Sequence, residues 1–145
     1  MSTDAYSESL SESLSRVLED AAFVFAEEPD GPLGDWEDEV IEVQLAFSGD
    51  RSGNLTMYLE RAFAERLAEE LMVEGPEDSL GIEVGAELLN IIAGMWAPAA
   101  FGPRVLVKLD SPVANCIPAE QAPANGHGAE LVTDEGERIA LRVAA

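Results

Sequence analysis

Apolar residues along the chain recur first at helical spacing, then in alternation, then helically again, and finally in alternation. Across 4–27, Leu10, Leu14, Val17, Leu18, Ala21 and Phe25 follow the helical period, while serines and glutamates fill the other positions. That pattern predicts an amphipathic helix with one buried face, with residues 1–4 frayed at its start. The prolines and glycines of PDGPLGD (29–35) predict a loop. In EVIEVQLAF, Ile41, Val43, Leu45 and Phe47 alternate with polar or small residues. In NLTMYLE, Leu55, Met57 and Leu59 alternate with Thr56 and Tyr58. With SGDRSGN between them, the two segments read as a hairpin with one buried face.

Helical spacing returns at 61–74, with Phe63, Leu67 and Leu71 in register and Gly75-Pro76 as the predicted stop. A further helix is predicted over 79–97, capped by Asp78 or Ser79 and ended by Pro98, which disfavours helical geometry at Ala97. RVLVKLDSPV reads as a strand, 116–128 as a loop, and AELVTDEGERIALRVA as a closing hairpin with DEGE at its turn. No βαβ alternation with a glycine-rich phosphate loop is present. The order predicts an α+β domain in which helices cover an antiparallel sheet. Its two halves share a rough helix-then-strands order, suggestive of an internal αββ duplication. The 145 residues suit a single domain, 1–145.

Charge narrows the choice of partners. The formal net charge is −21, and the eight basic residues stand singly along the chain. No basic stripe is available to neutralise phosphates, so nucleic acid is excluded, and an anionic membrane surface would repel the chain. Cys116 is the only cysteine, which excludes an internal disulfide or a cysteine metal cluster. It reads as a small core residue at a strand end, and a Cys116–His127 pair is disfavoured because His127 lies in the turn-rich PANGHGAE. The N-terminus is acidic and polar, unlike a signal peptide. The longest uncharged run, Leu88 to Pro103, holds Asn90 and is interrupted by Pro98 and Gly102, so no membrane span is predicted. The chain is therefore expected to be cytoplasmic.

The helix predicted over 79–97 carries the one unusual feature. At about 100° per residue, Leu88, Leu89, Ile91, Ile92, Met95 and Trp96 cover a wide apolar arc. Glu83, Glu87, Asn90 and Gly94 fall on the remaining narrow stripe, each one turn from the next. Gly94 costs about 1 kcal/mol of helix stability relative to alanine. That cost is understandable where another molecule must come close beside Asn90. A polar stripe on a core-packed helix is ordinarily its solvent face, and spacing alone leaves that reading in place. The absence of any charge between Glu87 and Arg104 favours a surface that meets something.

EVGAELLNIIAG resembles the Glu-x-x-Asn helix of the CheC/CheX/FliY phosphatases of bacterial chemotaxis. Glu83 stands at the position of an acidic residue or serine, followed by Glu87, Asn90, Gly94 and, downstream, Pro112 in LDSPV. The element order is also similar over about residues 5–143. A single motif, with no Glu-x-x-Asn among Glu8, Glu12 and Glu19 of the first helix, is closest to CheX. Two departures are Glu83, where Asp or Ser is commoner, and MWAPAAF, which lacks a basic residue soon after the glycine.

The resemblance implies a CheC-like fold and a phosphatase acting on the aspartyl phosphate of a CheY-like response regulator. It implies that Asn90 orients the attacking water, and that Glu87 pairs with the regulator's active-site lysine. Glu83 and Gly94 would contact the partner. The chain itself would carry no cofactor or metal, because Mg²⁺ sits on the regulator. The resemblance to CheX, whose members dimerise through sheet edges, implies a homodimer, and the alternating RIALRVAA offers an edge for it. Two other readings stay open. One is a non-catalytic adaptor domain that binds a response regulator or a flagellar component. The other is a structural domain whose Glu87 and Asn90 only decorate its surface.

Overall fold

A computed structural model of the chain describes residues 4–31, 33–36, 38–123 and 128–144. Three helices, α1 (Asp4–Ala22), α2 (Arg61–Leu67) and α3 (Glu77–Phe101), accompany seven strands. The strands are β1 (Ala26–Glu27), β2 (Val40–Gly49), β3 (Gly53–Glu60), β4 (Val107–Leu109), β5 (Val113–Ile117), β6 (Ala129–Thr133) and β7 (Arg138–Ala144). They form one antiparallel sheet in the order β1-β6-β7-β3-β2-β4, with β5 also on β2. The fold is therefore the expected α+β class, with an antiparallel sheet covered by helices. The hairpins β2–β3 and β6–β7 lie side by side, joined where β3 pairs with β7.

The predicted alternation decides which face of the sheet is covered. Ile41, Val43, Leu45 and Phe47 of β2, with Leu55, Met57 and Leu59 of β3, face the helices and are all buried. The opposite face has a smaller core of its own. Trp36, Val40, Tyr58 and Ala140 are buried there, against Ile117, Ala119 and Ala122. Arg138 locks this patch. Its guanidinium lies 4.0 Å from the Trp36 ring centre, and it donates to the Gly34 carbonyl at 2.7 Å. Tyr58, expected to point outward, is thus packed with Trp36, and the described residues of the expected 29–35 loop carry no helix or strand.

Several element ends differ from expectation. The first helix stops at Ala22 and does not run to 27, because Phe23 turns to φ +56° and the Val24 N–H donates back to the Leu18 carbonyl. Val24 is then buried and Phe25 is 68% exposed, so Phe25 leaves the apolar face assigned to it. After α2, helical turns continue until Met72, at φ +57°, closes them. The Met72 and Val73 N–H groups donate to Glu69 and Ala68, a Schellman arrangement that forms before Gly75 is reached. RVLVKLDSPV is two strands. Leu109 pairs with Phe47 and Val113 with Gln44, so Asp110, Ser111 and Pro112 stand opposite Leu45 and Ala46 alone. That bulge takes Pro112, which cannot donate to a ladder, out of the strands. Cys116 and Ile117 belong to β5, and a short 3-10 turn spans Ala119–Gln121, so the expected 116–128 loop starts later. Its residues 124–127, His127 among them, lie outside the described residues, as do residues 1–3 of the expected frayed start.

Two corrections bear on function. RIALRVAA is not a sheet edge over Arg138–Leu141. β7 pairs with β6 on one side and β3 on the other, and residues from Arg138 to Leu141 are buried on both faces. Pro98 does not end α3, which continues to Phe101. Phe101 is held in a cluster of rings with Tyr6, Phe47 and Trp96, at centroid distances of 5.1 to 5.8 Å. Edge-to-face aromatic packing of this kind offsets part of the proline's cost within the helix. By length and composition α3 could cross a bilayer. Its buried side chains, including Val84, Leu88, Leu89, Ile92 and Trp96, are instead used in the core.

Candidate functional site

The apolar arc of α3 fixes the helix in place. Leu88, Leu89, Ile92, Ala93 and Trp96 are fully buried, and Ile91 is half-buried. Met95, also assigned to the arc, is 37% exposed. Close approach to the sheet depends on two glycines. A Cβ at Gly85 would come within 2.8 Å of Ile41 Cγ2 and 2.9 Å of Val43 Cγ2, and one at Gly81 within 3.3 Å of Ile41 Cδ1. These β-branched side chains have little freedom to move away.

With that face pinned, the narrow stripe is turned outward as the spacing predicted. Glu83, Glu87, Asn90 and Gly94 are all exposed. Among the described residues, the side chains of Glu87 and Asn90 make no hydrogen bond or ion pair. No lysine or arginine lies on α3. The Glu87 carboxylate and the Asn90 amide thus stand one turn apart with their hydrogen-bonding capacity unused. Glu83 is placed differently, its carboxylate folded over Gly75, where any side chain would collide with it. Gly94 has nothing within 4 Å of where a Cβ would sit, so its missing side chain answers no internal packing need.

The stripe also includes a residue that sequence reasoning used only as a stop. Pro98 is exposed one turn beyond Gly94. The spacing of four from Gly94 was legible, but a proline so placed reads first as a helix end. Beside the stripe, an open groove of about 820 Å³ between α1 and α3 is lined by Ser11, Glu12, Ser15, Arg16, Met95 and Ala99, among others. Pro112, matched to the motif's downstream proline, is in the bulge between β4 and β5 beside β2.

The remaining candidates do not join this site. Cys116 is half-buried in β5, and its thiol donates to Glu39 Oε2 at 2.9 Å. Burial, helped by that carboxylate, pushes the thiol up to about 11, which keeps it protonated and poorly nucleophilic near neutrality. Among the described residues, no three His, Cys, Asp or Glu side chains converge as a metal site.

No protein-family model matches the chain, and no curated protein matches it. Solved structures do. The chemotaxis protein CheX from Vibrio vulnificus superposes with a TM-score of 0.70 at 14% identity, over 96% of this chain and 95% of that one. The CheX of a CheX–CheY–BeF3–Mg complex from Borrelia burgdorferi gives 0.63 at 21% identity, over 96% of both chains. A CheC-like superfamily protein from a Shewanella species gives 0.68 at 16% identity over the whole of both chains. A FliM middle domain shares the same architecture, with a TM-score of 0.58 over 97% of this chain and 91% of that one. An antiparallel sheet laid out in this order under these helices, matched over nearly its full length, is the fold of the CheC/CheX/FliY proteins.

Proposed function

We propose that the chain is a CheX-like protein that docks a CheY-like response regulator and accelerates hydrolysis of its aspartyl phosphate. The observation that carries this reading is the pair of exposed, uncommitted side chains Glu87 and Asn90 on a helix whose opposite face is buried in the core. The fold shared with a CheX solved in complex with CheY supports it.

Hydrolysis of an acyl phosphate by water needs an aligned nucleophile and little covalent help. The Asn90 amide can accept a hydrogen bond from water while staying neutral beside phosphoryl oxygens, where a carboxylate would be repelled. Glu87, one turn earlier, suits an ion pair with a lysine of the regulator and would anchor the complex. Glu83 and Gly94 extend the contact along the same stripe. The Mg²⁺ that activates the phosphoryl group belongs to the regulator, so the chain's own task is positioning. A cytoplasmic setting follows from this role.

Release of phosphate from phosphorylated receiver domains of the same genome tests the proposal. Wild type should speed the decay, and Asn90→Ala should lose that acceleration while still binding. If wild type adds nothing to the regulator's own decay, the enzymatic reading fails. Binding without faster decay would select a second reading, an adaptor that engages a regulator or a flagellar component. The shared architecture of a FliM middle domain and the missing basic residue after Gly94 favour keeping it.

A further inference from the structure

We infer that the backbone carbonyl of Gly94, released by Pro98, is a hydrogen-bond acceptor for an N–H group of the docked regulator. The inference rests on the docking role proposed above and adds a contact to it. In an α-helix the carbonyl of residue 94 takes its hydrogen bond from the N–H of residue 98. Position 98 is proline, which has no N–H, yet the helix continues past it to Phe101. The proline ring also crowds the carbonyl four residues earlier and turns it away from the helix axis. Gly94 and Pro98 are both exposed, so this part of α3 faces solvent.

The location gives the carbonyl its significance. It follows Asn90 by one turn on the stripe that carries Glu87. The stripe then presents, in order, a carboxylate, an amide and a main-chain acceptor. α3 has no basic residue in its last turn to satisfy its own carbonyls. A free carbonyl near a helix C-terminus carries partial negative charge and favours N–H donors, a backbone amide or a lysine, on the partner.

The test measures affinity for beryllofluoride-activated receiver domains. Pro98→Ala returns an N–H to position 98 and removes the ring. Lactic acid installed at position 98 through an ester bond removes the ring but supplies no N–H. Pro98→Ala should bind three- to tenfold more weakly, roughly the worth of one hydrogen bond, with an unchanged or higher melting temperature. The ester variant should bind within about twofold of wild type. If Pro98→Ala binds as wild type does, or if both variants weaken equally, the inference is overturned while the docking role stands. If wild type binds no activated receiver, the docking role and the inference fall together.

Discussion

Gly85 and Gly94 lie on the same helix and answer opposite demands. Gly85 faces β2, where the nearest methyl groups leave no room for a Cβ. Gly94 faces outward, where a Cβ would touch nothing. One glycine lets the helix reach the sheet, and the other leaves the outer surface open. By intrinsic helix propensity the two are alike, since each costs the helix about 1 kcal/mol relative to alanine. In the fold, the cost at Gly85 is offset by close packing, whereas at Gly94 no internal contact offsets it. An uncompensated local cost on an exposed face is what a docking surface would require.

The sharpest break between the two faces is catalytic. Asn90→Ala should reduce regulator dephosphorylation on the order of 100-fold, as expected when a nucleophile loses its positioning. Its stability should stay within about 0.5 kcal/mol, since the side chain is exposed and unbonded. Phosphate release at saturating regulator, paired with a denaturant midpoint, checks both halves. Gly85→Ala should do the reverse. The added methyl must displace Ile41 and Val43, at a cost of about 1–3 kcal/mol, and activity per folded molecule should persist. Equal stability of Gly85→Ala and wild type would contradict the close helix–sheet packing.

A smaller effect is expected at Gly94. Gly94→Ala should stabilise the protein by up to about 1 kcal/mol through helix propensity, while weakening regulator binding. A variant more stable and equally good at binding would remove the clearance argument. The smallest effect concerns Cys116, on neither face of α3. Its thiol is raised from 9.0 to about 11 in the folded protein. Both states hold the proton below pH 9, so the contribution is fully present there and is lost as pH rises through about 11. Alkylation at pH 8 should accordingly be slow in the native protein and fast in denaturant, whereas equal rates would rule out the protected thiol.

The legible parts of the fold were those set by local periodicity. Alternation in β2 and β3 assigned the buried face residue by residue, because the two-residue period leaves no choice once one face is covered. The exposed stripe of Glu83, Glu87, Asn90 and Gly94 followed from helical geometry in the same way. The illegible parts were decided by contacts distant in sequence. Phe25 fits a helical pattern, but the backbone turn at Phe23 sends Val24 into the core in its place. RIALRVAA reads as an edge because alternation does not reveal how many neighbours a strand has. Pro98 reads as a stop because its cost is local, while the ring cluster around Phe101 that offsets it is assembled from α1, β2 and α3.

The sequence by itself determined the fold class, the buried face of the first hairpin and the grouping of Glu87, Asn90 and Gly94 on one side of a helix. Each is a consequence of spacing along the chain, and the residue intervals contain it. Only the tertiary structure decided that this side has no partner within the described residues, that Gly85 is pressed against Ile41 and Val43, and that α3 passes through Pro98. Those depend on which segments fold back against the helix, and the chain's local periods do not encode it.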